Sequence, residues 1–184
     1  MKRDTPVYQQ HLTTRFDSLP EKVRAFHALQ GKHKLEGRVT IRGAETTVGR
    51  LLAVLMGFPA EAPSQPFSFQ LDATPTREVW TRLFPTRTMR SCLSVRGEYL
   101  TEAFGPIRLF FKLDTNAEKL EMHLKRMTFL GVPLPRFLIP GVQASERSAE
   151  GLFHFHIVAS WPANKRVVSY TGTLDVPAEE GAQT

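Results

Sequence analysis

REVWTRLF, residues 77–84, alternates as a β-strand does, and one of its faces carries Glu78, Trp80, Arg82 and Phe84. The other face carries Val79, Thr81 and Leu83. Successive side chains of a strand point to opposite sides, so in a curled sheet one of these sets lies inside. If it is the first, the interior mixes aromatics with two opposite charges, as the wall of a ligand cavity does. If it is the second, the longer side chains form a cross-strand ladder on the outside. The residues alone leave both arrangements open.

The period-two pattern extends in both directions from this stretch. Strands are expected at 67–73, 77–84, 88–96, 98–104, 107–114, 118–128, 142–149, 151–160 and 165–174, divided by turn signals such as TPT, RG, GP and DTN. Short links make sequential neighbours pair antiparallel, in a meander. KLEGRVTIR at 34–42 adds an earlier half-buried strand, for about ten in all. So many strands in a small domain have to curl or close, since a flat sheet would leave an apolar face and two edges in water. The expected fold is therefore mainly β with an α+β start: an antiparallel meander curled into a barrel or half-barrel, calycin-like or fatty-acid-binding-like, with N-terminal helices.

Two helices are expected ahead of the meander. Ser18 and Glu21 have capping-box spacing with Pro20 in the first turn, Val23, Phe26 and Leu29 share a face, and Gly31 ends the segment. A second helix runs from Thr46 or Thr47 to Gly57, where Pro59 forbids its continuation. AEAPSQP, 60–66, reads as a loop. TFLGVPLPRFLIPG, 128–141, is too rich in proline for a central strand or a regular helix and too apolar to be left in water, so it is expected to pack across a barrel mouth or against a neighbouring element. Residues 1–177 make a single domain and 178–184 a disordered tail.

Composition narrows the class. The chain has 184 residues, 41% of them apolar, enough for one sizeable core. Its longest strongly apolar run, LLAVLMGFPA at 51–60, is too short for a membrane span and contains Gly57 and Pro59. The N-terminal residues carry no signal-like apolar segment, so a cytoplasmic location is expected. The net charge of +6 is spread among acidic residues without a basic run, which disfavours nucleic acid as a partner. The lone cysteine, Cys92, is expected to be a buried, inert thiol.

Several segments together resemble a bacterial family, domain of unknown function 4166, that occurs alone or at the C-terminal end of saccharopine-dehydrogenase-like proteins. The likeness runs from LPEKVRAFH at 19–27 through EVWTRLF, the Ser91 strand, EAFGPIRL at 102–109 and LGVPLPRFLIP at 130–140. It continues through Glu146 and FHF at 153–155 to Tyr170-x-Gly172 and YTGTLDVP at 170–177. The resemblance implies no catalytic residues, and it raises a dehydrogenase-like protein as a possible partner. No G-x-G-x-x-G opens a helix, so NAD is not expected, nor any other cofactor.

The candidate ligand-binding residues are Glu78, Trp80, Arg82, Phe84, Glu102, Arg136, Glu146 and Tyr170. Glu102 and Glu146 stand among apolar neighbours and would need pairing if buried. Arg136 would point into the mouth if 128–141 were a lid; as a plain crossover, that segment would instead bury Leu134, Phe137, Leu138 and Ile139. His154 and His156 have the spacing of two metal ligands but no evident third, so an exposed or edge pair is expected and no metal site. His27 reads as a packing residue. Hydrolase, zincin, thiol-redox and P-loop motifs are missing. The leading expectation is a domain that binds a hydrophobic or amphipathic small molecule. The alternatives are an enzyme using Glu78, Glu102 or Glu146 beside Arg82, or a module that docks on a dehydrogenase-like partner.

Overall fold

The computed structural model describes residues 5–161 and 163–177; the expected tail at 178–184 lies outside them. Three short helices, α1 (Val7–Leu12), α2 (Glu21–Ala28) and α3 (Thr47–Leu55), accompany eleven strands. These are β1 (Gly31–Arg42), β2 (Ala62–Thr74), β3 (Arg77–Phe84), β4 (Arg87–Arg96), β5 (Tyr99–Phe104) and β6 (Ile107–Thr115). They continue as β7 (Lys119–Phe129), β8 (Val132–Pro133), β9 (Gly141–Ala149), β10 (Leu152–Ser160) and β11 (Arg166–Leu174). The sheet runs β6-β5-β4-β3-β2-β1-β11-β10-β9-β7, and the pairing of β6 with β7 closes it. All pairings are antiparallel, so the fold is a closed ten-stranded barrel with β8 as a short extra strand on β7.

Closure is the answer to the edge problem posed by the meander: each of the ten strands has a neighbour on both sides. Two-residue turns set the register. Arg96 faces Tyr99 across Gly97 and Glu98, and Ala149 faces Leu152 across Glu150 and Gly151, both with positive φ as a type I′ hairpin requires. At the β1–β11 seam the backbones come close. A Cβ on Gly172 would stand 2.4 Å from the Arg38 carbonyl and 2.5 Å from the Phe155 ring, so the glycine of Tyr170-x-Gly172 admits both neighbours.

Three expectations are corrected here. Ser18 does not cap a helix: α2 begins at Glu21 after Pro20 with no side-chain cap, and the Ser18 hydroxyl donates to the Arg15 carbonyl at 2.8 Å. Residues 62–66 are strand rather than loop, extending β2 along β1 as far as the Ala62–Ile41 pair. β3 meets β2 only from Ser68 onward, so Pro63 and Pro66 sit where the missing N–H has no partner to lose. A helix not foreseen, α1, packs Val7, Tyr8 and Leu12 into the core. Together α1 and α2 close one end of the barrel. Cys92 is half-buried on the outer face of β4 rather than fully buried.

Candidate functional site

β3 settles its orientation by burial: Glu78, Trp80, Arg82 and Phe84 are buried, while Arg77, Val79, Thr81 and Leu83 are exposed or half-exposed. The mixed face is the inner one. It borders a cavity of about 680 Å³, inside the range typical of small-molecule sites, roughly 300–1,000 Å³. Most of the lining is apolar. Its charged members are Arg82, Glu102 and Glu146, and two phenols, Tyr8 and Tyr170, share the wall.

The charges occur in two clusters, one farther along β3 and β5 and one against α1 and α2. In the first, Arg82 donates from one terminal nitrogen to Glu102 Oε1 at 2.9 Å and from the other to Ser91 Oγ at 3.0 Å, while the Ser91 hydroxyl donates to the same Glu102 oxygen at 2.6 Å. Burial works against the charge on Arg82, but Glu102, together with Tyr170 and Tyr8, outweighs it, so the guanidinium is held more firmly than in water. Its carbon lies 5.1 Å from the Trp80 ring centroid, a cation–π contact that supports the buried cation.

In the second cluster, His27 Nε2 and Glu146 Oε2 are 2.6 Å apart, and both side chains are almost wholly buried. Tyr8 stacks on the imidazole with centroids 3.6 Å apart. The Trp80 indole donates to Glu78 Oε2 at 2.9 Å, leaving Glu78 Oε1 and His27 Nδ1 without partners. Burial pushes the Glu78 carboxyl up and Glu146 adds to the rise, against the pull of His27 and the indole N–H. Burial likewise raises both phenols: Tyr8 well above its ordinary value, with Glu146 and Glu78 reinforcing it, and Tyr170 against the pull of Arg82. Both are therefore neutral hydrogen-bond donors. Among the described residues the Tyr8 hydroxyl donates to a sulfur acceptor alone, Met122 Sδ at 3.5 Å.

The opposite end is apolar. Leu52 and Met56 from α3, Phe129 at the end of β7, Leu138 and Pro140 from the segment before β9, and Trp161 all reach the cavity. Met56, Phe129 and Leu138 are also exposed, so the cavity meets the surface between α3 and residues 129–140. α3 is set there by its N-cap, with the Thr46 hydroxyl accepting from the Gly49 N–H at 2.9 Å. A Cβ on Gly49 would stand 3.0 Å from the Thr46 hydroxyl and 3.1 Å from the Ala44 methyl, so the glycine leaves room for the cap.

Of the eight residues picked from the sequence, Trp80, Arg82, Glu102, Glu146 and Tyr170 line this cavity. Glu78 and Phe84 are buried on the same inner face but do not border it; Phe84 packs on Phe67 and Tyr170. Arg136 stands apart: it is exposed and borders a groove on the outer wall with Lys125 and Arg126. Segment 128–141 does lie at the mouth, but Phe137 and Leu138 are exposed, so the plain crossover that would bury both is not what forms. His154 and His156 occupy β10, a strand with neighbours on both sides, and bond to the Ala149 carbonyl and the Thr171 hydroxyl. Among the described residues no cluster of His, Cys, Asp or Glu could hold a metal ion. Sequence reasoning missed Tyr8 altogether and saw His27 only as packing. The spacing of Val7, Tyr8 and Leu12 was the available signal for the first, and nothing local tied His27 to a glutamate 119 residues away.

The fold and its interior define a class: a closed antiparallel barrel with a helix-plugged base, an internal cavity and paired charges within it. The chain belongs to the family described as domain of unknown function (DUF4166), whose profile matches residues 19–174. No curated protein sequence matches it significantly.

Proposed function

We infer that the barrel binds an amphipathic small molecule with an uncharged oxygen-bearing head, a hydroxyl or carbonyl, seated among Tyr8, Arg82, Glu102, Glu146 and Tyr170. Its apolar body runs towards the mouth. The carrying observation is the distribution of polarity along one cavity: paired charges and neutral phenols in its interior, hydrocarbon at the mouth. Because Glu102 neutralises Arg82 and Glu146 faces His27, a charged head would find no free countercharge and would pay for its desolvation. A neutral head that accepts from a phenol replaces water without that cost.

Native mass spectrometry of the purified protein, followed by denaturing extraction, tests this reading. The expected result is a stoichiometric adduct of amphipathic character, or uptake of one equivalent when dodecanol is added. A chain that carries nothing and takes up no dodecanol would remove the reading.

A second reading is favoured by one observation: two glutamates on the cavity wall, with His27 against Glu146 and Glu78, whose carboxyl burial pushes up, on the same inner face, could accept and return a proton. In that case Glu146 is the group that meets the substrate and His27 positions it. Loss of turnover in Glu146→Gln with retained ligand uptake would separate an enzyme from a carrier.

A further inference from the structure

Every large apolar side chain exposed among the described residues lies on α3 and the residue after it or on the 129–138 segment. Val48, Leu51 and Val54 face out from α3, and Leu130, Val132 and Phe137 face out beside β7. Val54, Leu130 and Phe137 are 72%, 73% and 76% exposed. The same two segments send Leu52, Met56, Phe129 and Leu138 into the cavity wall, so the apolar patch is the rim of the mouth. The β10–β11 turn joins them: the Trp161 indole donates to the Phe137 carbonyl at 3.1 Å, and just before α3 the Glu45 N–H donates to the Arg166 carbonyl while the Arg166 N–H donates to the Glu45 carboxylate.

The segments that carry the apolar side chains are one-sided in charge, with Glu45, paired to Arg166, and Glu61 flanking α3. Residues 46–59 and 125–141 contain Arg50, Lys125, Arg126 and Arg136 and no acidic residue, in a chain with 24 basic and 18 acidic side chains. Lys125, Arg126 and Arg136 converge on the outer groove beside the loop that carries Phe137. No helix of the described residues is long and apolar enough to cross a membrane. A short helix and a loop tip with exposed apolar side chains, flanked by basic groups, are what an interfacial contact with lipid requires.

We propose that the mouth of the barrel docks on an anionic lipid surface, with Leu51, Val54, Leu130 and Phe137 entering the acyl boundary and Lys125, Arg126 and Arg136 meeting lipid phosphates. Docking opens the cavity directly onto hydrocarbon, so a poorly soluble ligand passes between bilayer and barrel without crossing water. The exchange step rests on the cavity reading above, whereas docking itself does not.

The test is co-sedimentation of the whole chain with vesicles of phosphatidylglycerol and phosphatidylcholine in equal parts, against phosphatidylcholine alone. The protein is expected to bind the anionic vesicles more tightly and to release as salt rises. The double change Val54→Ser, Phe137→Ser is expected to weaken binding roughly tenfold or more, and Arg126→Gln, Arg136→Gln to do so on anionic vesicles only. All four side chains are exposed, so an unchanged thermal midpoint certifies the fold of each variant. Absence of sedimentation at low salt would overturn the proposal, as would binding indifferent to both double changes. So would analytical ultracentrifugation showing a dimer that Val54→Ser, Phe137→Ser dissociates, since a second copy would then be what covers the rim. A native-mass adduct without vesicle binding would sink docking and leave the cavity reading; vesicle binding without any cargo would do the reverse.

Discussion

The two ends of this barrel are built to opposite rules. At the base, Tyr8 and Phe26 are 0% and 2% exposed, and Phe26 alone meets the rings of His27, Phe69, Trp80 and Phe153. Every wall charge there has a partner. At the mouth, apolar side chains stand in water, and Lys125, Arg126 and Arg136 lie on the outer groove beside them. An end that stabilises the fold should punish substitution, and an end that serves exchange should tolerate it. The difference therefore separates residues that hold the cavity from residues that give access to it.

The largest expected effect is at the base. Phe26→Ala removes a ring from the centre of the aromatic cluster and should cost about 3–5 kcal/mol in chemical denaturation. A loss below 1 kcal/mol would mean the helices are not the plug described here. Glu102→Gln leaves the Arg82 guanidinium without its countercharge and should cost about 3 kcal/mol, while the pair Arg82→Met, Glu102→Gln should recover much of it. A simple sum of the two single losses would contradict the buried pairing. Gly172→Ala forces a methyl against the Arg38 carbonyl and the Phe155 ring, and about 1–3 kcal/mol should be lost at the β1–β11 seam.

A smaller effect depends on pH. Burial raises the Glu78 carboxyl, so the folded chain holds this proton more tightly than the unfolded one. Stability from this group is complete below the ordinary carboxyl range and is lost as pH rises through the folded value. Glu78→Gln keeps an acceptor for the Trp80 indole but has no proton to lose. Its stability relative to the natural chain should rise across that window, and a difference flat in pH would refute the raised carboxyl. Least of all should happen at the mouth: Val54→Ser, Phe137→Ser is expected to change folding stability by less than about 0.5 kcal/mol.

The contrast also explains what could be read from the sequence. Alternation and two-residue turns are local, so nearly every barrel strand was legible, and the count of strands implied closure. Which face of 77–84 points inward was not legible, because both faces hold apolar groups and the decision rests on Phe26 of α2 and Phe69 of the neighbouring β2 packing against Trp80. Ser91 and Glu102 join Arg82 only through the register of β3, β4 and β5. The prolines at 63 and 66 hid a strand because their tolerance depends on how far the neighbouring strand reaches. The 128–141 segment was placed at the mouth correctly, but its exposed Phe137 ran against the expectation that apolar residues are covered.

One measurement addresses the polar base and apolar mouth together, because the chain's two tryptophans stand one at each end. The Trp80 indole N–H donates to Glu78 inside the base, and that of Trp161 donates to the Phe137 carbonyl at the rim. In a ¹H–¹⁵N correlation spectrum recorded during titration with dodecanol, both indole signals should move and saturate together at one equivalent. Movement of Trp161 alone, or of neither, would contradict a ligand that spans the barrel with its head at the base.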